Sequence, residues 1–357
     1  MKRIDVWAVV KDPGEAAGML PVVVELRKAG LSVWLITNGW AAANLIGYEH
    51  TPVENAEALM TKVPPRLLLV GLCANDDSVG RDLIPLLRGK SISIIIQDLW
   101  GMPPSYVAQE YQPDYVITND EVDKGTLCNV WPKLDSSHIF TTGFPALDKY
   151  ASVDIEEEDA KVRTALGLRE DIPLVLFAGQ GFQTSHALGE VVWALNRLRM
   201  DCYFIPRPHP RFRMNYASEA KLWQEALAGY RGRLVVDWFG SCTSSQLIAA
   251  AAQNGVVISM YSTMLLEAAA LRGQAVSVLY PETGMQSMKA ETGLEQSPLV
   301  SLGCTAWAKD RESLVSHLGR ALTSSLGRCQ RPSQKRHIHV DGQNARRVAE
   351  VIRNILR

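Results

Sequence analysis

Short runs of Val, Ile and Leu alternate along this chain with longer segments in which apolar residues recur at helical spacing. Ile4–Val10 reads as a first strand. Glu15–Lys28 reads as a helix, with Leu20, Val23, Val24 and Leu26 turned inward and Gly30 as its stop. Leu31–Thr37, Arg66–Leu72, Ser91–Gln97, Asp114–Thr118 and His138–Thr142 read as further strands with helical sequence between most of them. This rhythm predicts a parallel sheet covered by helices on both faces. The unbroken apolar runs Leu67–Leu72 and Ile92–Ile96 fit strands buried on both sides.

The texture then changes. Gly143–Asp159 holds Gly143, Pro145 and an acidic stretch (Asp154, Glu156, Glu157, Glu158, Asp159) that would open a helix, where the helix dipole favours negative charge. It reads as a linker. The rhythm restarts with strands at Leu174–Ala178, Cys202–Pro206, Leu234–Asp237, Val256–Ser259 and Ala275–Tyr280. Helical sequence near Glu312–Ser324 and Asn344–Arg357 closes the chain, and the basic, Pro-containing Gln330–His339 reads as a solvated loop. A length of 357 residues suits two domains at a prior of roughly 150 residues each. The expected division is 1–150, 151–340, and a C-terminal helix within 341–357 that packs back on the first domain.

Composition narrows the function. At 47% hydrophobic and 21% charged residues the chain is globular rather than disordered. A formal net charge of −1 gives no electrostatic case for nucleic acid as the partner, so a small ligand is the better default. The six cysteines form no C-x-x-C pair, which leaves zinc and redox motifs unsupported and reads as buried free thiols. The amino-terminal apolar run meets charge within ten residues and reads as a strand, not a signal peptide. No apolar stretch approaches the ~18 residues that a membrane span needs. The expected location is the cytoplasm. A peripheral membrane contact and a homodimer are both compatible with this composition.

Ligands of open parallel sheets bind beyond the carboxyl ends of the strands, so the loops there carry the candidate chemistry. The first loop holds Gly14, Glu15 and Gly18 at a helix start, where glycines admit a ligand to the backbone and free N–H groups meet phosphate or sugar oxygens. Its bland alternative is a tight strand-to-helix turn. The loop Gly179, Gln180, Gly181, Phe182, Gln183, Thr184 would suit a diphosphate, although it lacks the Walker lysine and Thr184 would serve equally as an N-cap. Arg207, His209 and Arg211 alternate with two prolines; arginine suits phosphate, and the prolines fix the direction of the imidazole. Ser262 and Thr263 stand at another helix start. Glu267, about one turn on, would accept ribose hydroxyls, or would simply face solvent. Asp98 ends a strongly apolar strand and would act as a general base, bind sugar hydroxyls, or cap a loop. Asp76, Asp77, Asp120 and Glu121 are weaker candidates of the same kind.

The order of these motifs resembles the GT-B superfamily of sugar-nucleotide enzymes, and within it the UDP-N-acetylglucosamine 2-epimerase branch. Gly14–Pro21 is similar to that branch's first loop, Gln112–Asn119 to the strand before the crossing, and Thr142–Asp148 to its TGNPxxD crossing. His209-Pro210 sits where a His-Pro pair recurs. Ser262–Ala268 resembles the segment that binds the UDP phosphates and ribose, which would give Ser262 and Thr263 the phosphates and Glu267 the ribose. The departures are specific. Gly179–Gln183 replaces a His-Arg-Arg-Glu-Asn segment, Ile96–Gly101 replaces His-x-Glu-Ala-Gly, and the nearest first-loop base is Lys11.

The resemblance implies an α/β protein of two Rossmann-like, GT-B-type domains facing across a cleft. It implies a glycosyltransferase-like enzyme that takes a nucleotide-diphospho-sugar, with a UDP-sugar favoured and the acceptor unknown. No cofactor and no metal would be required. Asp98, Glu15 and His209 are its expected catalytic residues, and Gly14, Gly18, Gly179, Gln180, Gly181, Thr184, Arg207 and Arg211 join Ser262, Thr263 and Glu267 as binding residues. The rivals are a nucleotide-sugar 2-epimerase or hydrolase, and a non-catalytic relative that binds a nucleotide or a partner.

Overall fold

A computed structural model describes residues 4–72, 78–98, 100–180, 184–210, 212, 216–280, 283–323 and 327–357. The chain divides into two compact units. Unit 1 comprises Met1–Ala151, Lys289–Leu294 and Asp341–Arg357; unit 2 comprises Ser152–Met288 and Glu295–Val340.

The strands of unit 1 are β1 (Val6–Val10), β2 (Val33–Thr37), β3 (Thr51–Pro52), β4 (Leu67–Gly71), β5 (Ile92–Ile96), β6 (Tyr115–Thr118) and β7 (Ile139–Thr141). Among the described residues they form one parallel sheet in the order β3-β2-β1-β4-β5-β6-β7. Alternation along β1 sends Val6, Ala8 and Val10 into one apolar layer and Trp7 and Val9 into the other, so both faces are covered. The first layer is closed by the helix Pro13–Lys28 together with the last helix, Asn344–Leu356. The second is closed by Val79–Leu87 and Glu121–Val130.

The C-terminal helix is held by the Thr142–Asp148 stretch. Asp148 accepts the N–H groups of Asn344 and Ala345 at 3.0 and 2.8 Å, which satisfies two of the helix's first free donors. Asn344 Nδ2 donates to the Phe144 carbonyl at 3.0 Å, and Arg347 Nε to that of Thr142 at 2.8 Å. Gly143 has φ +91°, and a Cβ there would run into the Asn344 side chain.

In unit 2 the strands are β8 (Leu174–Ala178), β9 (Tyr203–Arg207), β10 (Arg233–Leu234), β11 (Gly255–Ser259), β12 (Gln274–Val278) and β13 (Ala306–Ala308). They are parallel in the order β10-β9-β8-β11-β12-β13. The acidic stretch does open a helix, Ile155–Leu166, with Asp154 accepting the N–H groups of Glu156 and Glu157.

Two expectations need correction, and two short strands were not foreseen. The strand expected at Leu234–Asp237 is only Arg233–Leu234, because the following residues turn into a loop that Asp237 organises. The short edge strands β3 and β13 lack an apolar run long enough to register as strands. Gln330–His339 is not a solvated loop: Arg331–His337 is helical, with Gln334 fully buried. The Gln330 amide donates to the Ala275 carbonyl at 2.8 Å and accepts its N–H at 3.0 Å, as a neighbouring strand would. Gln334 Nε2 donates to the carbonyls of Gly273 and Cys304. Polar composition concealed this packing, since buried amides look like surface residues in a sequence.

Of the described cysteines, Cys202, Cys242 and Cys304 are buried, Cys128 is half-buried and Cys329 is exposed; all are free thiols. Among the described residues no helix is long and apolar enough to cross a membrane.

Replacing Asp148 with Ala should cost about 1 kcal/mol through loss of the helix cap. A melting midpoint for unit 1 lower by roughly 2–4 °C would register that loss. Amide exchange should quicken first at Asn344 and Ala345.

Candidate functional site

The strand orders place a reversal between β1 and β4 in unit 1 and between β8 and β11 in unit 2. Loops that leave neighbouring strands toward opposite faces splay apart at such points and open a crevice lined by backbone. The candidate residues gather at these two places, each considered within its own unit.

In unit 1, Glu15 lies at the reversal. It is buried at 3% exposure, and its Oε2 accepts the N–H groups of Lys11 and, at 2.9 Å, Asp12. Its side chain lies flat against the end of β4: a Cβ on Gly71 would stand 2.9 Å from Glu15 Cβ and Cγ. Asp98, just beyond β5, reaches the same place, because a Cβ on Gly14 would collide with Asp98 Oδ2. Burial, reinforced by the negative charges of Asp12 and Asp98, pushes the Glu15 carboxyl up to about 8 against the pull of its two backbone donors. With its carboxyl raised to about 8, Glu15 holds a proton near neutrality. Lys11 is buried as well, its stem lying against Gly39 at the end of β2. Gly18 is buried, yet a Cβ added to it would meet open space.

The loop that carries Asp98 is anchored by Gln97 and Asp123, outside the sequence-derived set, and by Asp120, one of its weaker candidates. Gln97 Nε2 donates to Asp123 Oδ1 at 3.0 Å and to the Gly101 carbonyl at 2.9 Å. Trp100 Nε1 donates to Asp120 Oδ2 at 2.8 Å. Asp123 is fully buried, and burial raises its carboxyl well above the usual range. The only signal in the sequence was the acidic Asp120–Asp123 stretch, which reads equally as a solvated helix start. Asp120 is that helix's N-cap.

In unit 2, Gln180 Oε1 accepts the Tyr261 N–H at 2.9 Å and so ties the loop after β8 to the loop after β11. Buried Ser259 braces the same junction, donating to the Ala178 carbonyl at 2.6 Å. Ser262 is the N-cap of Thr263–Ala270 and accepts the Met264 N–H at 3.2 Å. Thr263 opens that helix, and Glu267 is half-buried further along it. Thr184 precedes the helix Ser185–Leu198 but does not cap it with its side chain; its buried Oγ1 has no hydrogen-bond partner among the described residues. Gly179 packs against Trp223, which a Cβ would approach to 2.8 Å.

Arg207 ends β9 and is largely buried. Its Nη1 donates to the Asp237 carbonyl and its Nη2 to that of Cys242 at 3.1 Å, with Asp237 Oδ2 at 3.5 Å. Asp237 in turn accepts the N–H groups of Ser241 and Cys242. Arg207 thus braces this loop while its charge stays at the carboxyl edge. Arg207 and Ser262 share that edge, on strands two spacings apart, roughly 10 Å. His209 follows in the same loop, half-buried. Gly181, Arg211, Asp76 and Asp77 lie outside the described residues. Among the described residues no cluster of His, Cys, Asp and Glu has the makings of a metal site.

Solved structures of similar fold cover nearly the whole chain. The UDP-GlcNAc 2-epimerase from Neisseria meningitidis bound to UDP-GlcNAc matches 98% of this chain and 100% of its own, with a TM-score of 0.69 at 11% identity. The S. aureus MnaA–UDP complex matches 99% and 97%, with a TM-score of 0.71 at 12% identity. A glycosyltransferase from Rickettsia africae matches 100% of both chains, with a TM-score of 0.63 at 13% identity. The fold is of the GT-B type. No protein-family model matches the chain, and no curated protein matches it in sequence.

The raised Glu15 carboxyl has a signed consequence for a GT-B unit built around it. Between the ordinary carboxylate value and about 8, the unfolded chain has lost this proton and the folded chain keeps it. This residue's contribution to stability therefore falls as pH rises from about 4.5 to about 8. Glu15→Gln retains an acceptor for both N–H groups and removes the titration. Denaturant unfolding should show the variant gaining on the wild type across that range, by on the order of a few kcal/mol. Parallel pH profiles would contradict the assignment.

Proposed function

We propose that this chain is a glycosyltransferase-like enzyme that binds a nucleotide-diphospho-sugar, with a UDP-sugar favoured. The observation that carries this reading is the Gln180–Tyr261 tie in unit 2. It holds Ser262 and Thr263 at the start of a helix beside the strand reversal, where free N–H groups and the helix dipole suit a diphosphate. The whole-length likeness to proteins solved with UDP and with UDP-GlcNAc supports the same ligand.

In this reading the developing diphosphate charge is met by backbone N–H groups around Ser262 and Thr263 and by the field of Arg207. Glu267 takes the ribose hydroxyls. Gln180 positions the loop, and Thr184 offers its unpartnered hydroxyl. Asp98 is the general base for the acceptor hydroxyl. Glu15, protonated near neutrality, fixes the first loop beneath it and keeps a second negative charge away from Asp98. His209 contributes to turnover rather than to folding.

A second reading is a 2-epimerase. A proton-holding Glu15 beside Asp98 supplies an acid and a base within one unit, and several similar structures are UDP-GlcNAc 2-epimerases.

Proton NMR of UDP-N-acetylglucosamine with the protein separates the two. The transferase reading expects free UDP only when an acceptor from a sugar and polyol panel is added. An epimer or free sugar without acceptor favours the second reading, and binding without turnover under any acceptor would overturn both. Glu267→Ala should weaken UDP binding about tenfold by calorimetry with the melting temperature retained. Asp98→Asn and His209→Ala should lower turnover at least a hundredfold and about tenfold respectively, with UDP affinity unchanged.

A further inference from the structure

Unit 1 carries a second concavity at the opposite edge of its sheet. It lies at the amino ends of β4 to β7, away from the Glu15 and Asp98 loops, and encloses about 650 Å³. That volume suits a small organic ligand. Four cationic side chains line it, Arg66, Arg88, Lys90 and Lys133, against two carboxylates, Asp114 and Asp135. In a chain whose formal net charge is −1, this is a local cationic excess.

Several of its polar groups are committed in ways that leave others facing outward in chemistry. Arg88 Nη2 donates to the carbonyls of Glu110 and Gln112 at 2.7 and 3.1 Å, which fixes the turn forming one wall. The Gln112 Oε1 accepts from Gln109, and its amide donors have no partner among the described residues. His138 Nδ1 meets the Asp114 carbonyl at 3.0 Å, which makes Nδ1 the protonated nitrogen and leaves Nε2 an acceptor. Asp114 Oδ2 is taken by the Ser93 N–H and hydroxyl, and Oδ1 remains. Lys133 is exposed with no carboxylate paired to it among the described residues. The His138 ring packs against Tyr115 with centroids 4.5 Å apart and planes tilted by 39°, so the two rings together offer an aromatic face.

We propose that this concavity binds a polyhydroxylated anion, a sugar phosphate or a sugar acid. An anion alone would need only the cations. Here open amide donors, a carboxylate oxygen and an imidazole acceptor stand beside an aromatic face, and that mixture matches hydroxyl groups on a ring whose flat side stacks. Lys133 takes the charged group; Arg66 is paired with Asp5 at 3.3 Å and Arg88 is held by carbonyls, so they add positive field at the wall. The site is separate from the one assigned to the nucleotide sugar and stands or falls without it.

The test uses the full chain with ¹³C-labelled histidine, and glucose 6-phosphate, gluconate, glucose and inorganic phosphate as probes. Saturable movement of the His138 Cε1–H resonance by glucose 6-phosphate or gluconate is expected, tighter at low ionic strength. Which of the two binds tighter identifies the charged group. Glucose and phosphate should each bind at least tenfold more weakly than the better of them. Lys133→Glu should weaken that binding tenfold or more, and in calorimetry, which does not need the His138 signal, His138→Ala should weaken the sugar compounds while leaving phosphate unchanged. Both substitutions are at surface positions, and an unchanged melting temperature confirms the fold. An unmoved His138 resonance at millimolar ligand, phosphate binding as tightly as glucose 6-phosphate, or affinity indifferent to Lys133→Glu would each overturn the proposal.

Discussion

The rest of this structure depends on a constraint of parallel sheets. Crossovers between parallel strands keep one hand, so a sheet that grows first to one side and then to the other must splay two loops at the strand where it turns. β1 and β4 make that turn in unit 1, β8 and β11 in unit 2. Backbone amides at a splayed junction have no strand neighbour and are available to an anion or to a side chain. In unit 1 a side chain takes them: Glu15 accepts two N–H groups. In unit 2 the loops are tied through Gln180, and Ser262 caps the helix Thr263–Ala270 by accepting the Met264 N–H.

The two junctions thus differ electrostatically although their topology is the same. Unit 1 concentrates carboxyl groups around Gly14 and Gly71, where only a glycine leaves room for them, and burial keeps one of them protonated. Unit 2 presents helix-start amides, hydroxyls and a guanidinium braced by carbonyls. The proposed transfer of a sugar from a diphosphate would draw on both, a carboxyl pair for the proton and an anion seat for the leaving group.

Much of this was legible in the sequence because strand burial leaves an unambiguous record. Runs such as Leu67–Leu72 and Ile92–Ile96 fix which strands are central, and the residues after them follow as candidates. Glu15 and Asp98 were found this way, and the structure brings them together. What escaped was whatever depends on a partner distant in sequence. Asp148 reads as an ordinary turn residue until it meets Asn344, nearly two hundred residues on. Gln330 and Gln334 read as surface, yet they complete the edge of β12. Arg207 reads as a phosphate ligand, and its guanidinium is also the brace of the Asp237 loop. Single-residue chemistry is visible in a sequence, whereas the saturation of that chemistry by other groups is visible only in space.

The proposed function requires that amides beside the β8–β11 reversal seat a diphosphate. Amide NMR of the ¹⁵N-labelled chain titrated with UDP tests it most directly. Large, saturable shifts are expected at Ser262 and Thr263, with the Lys11 and Asp12 amides unmoved because Glu15 already occupies them. Shifts confined to unit 1, or none near Ser262 at saturating UDP, would contradict it.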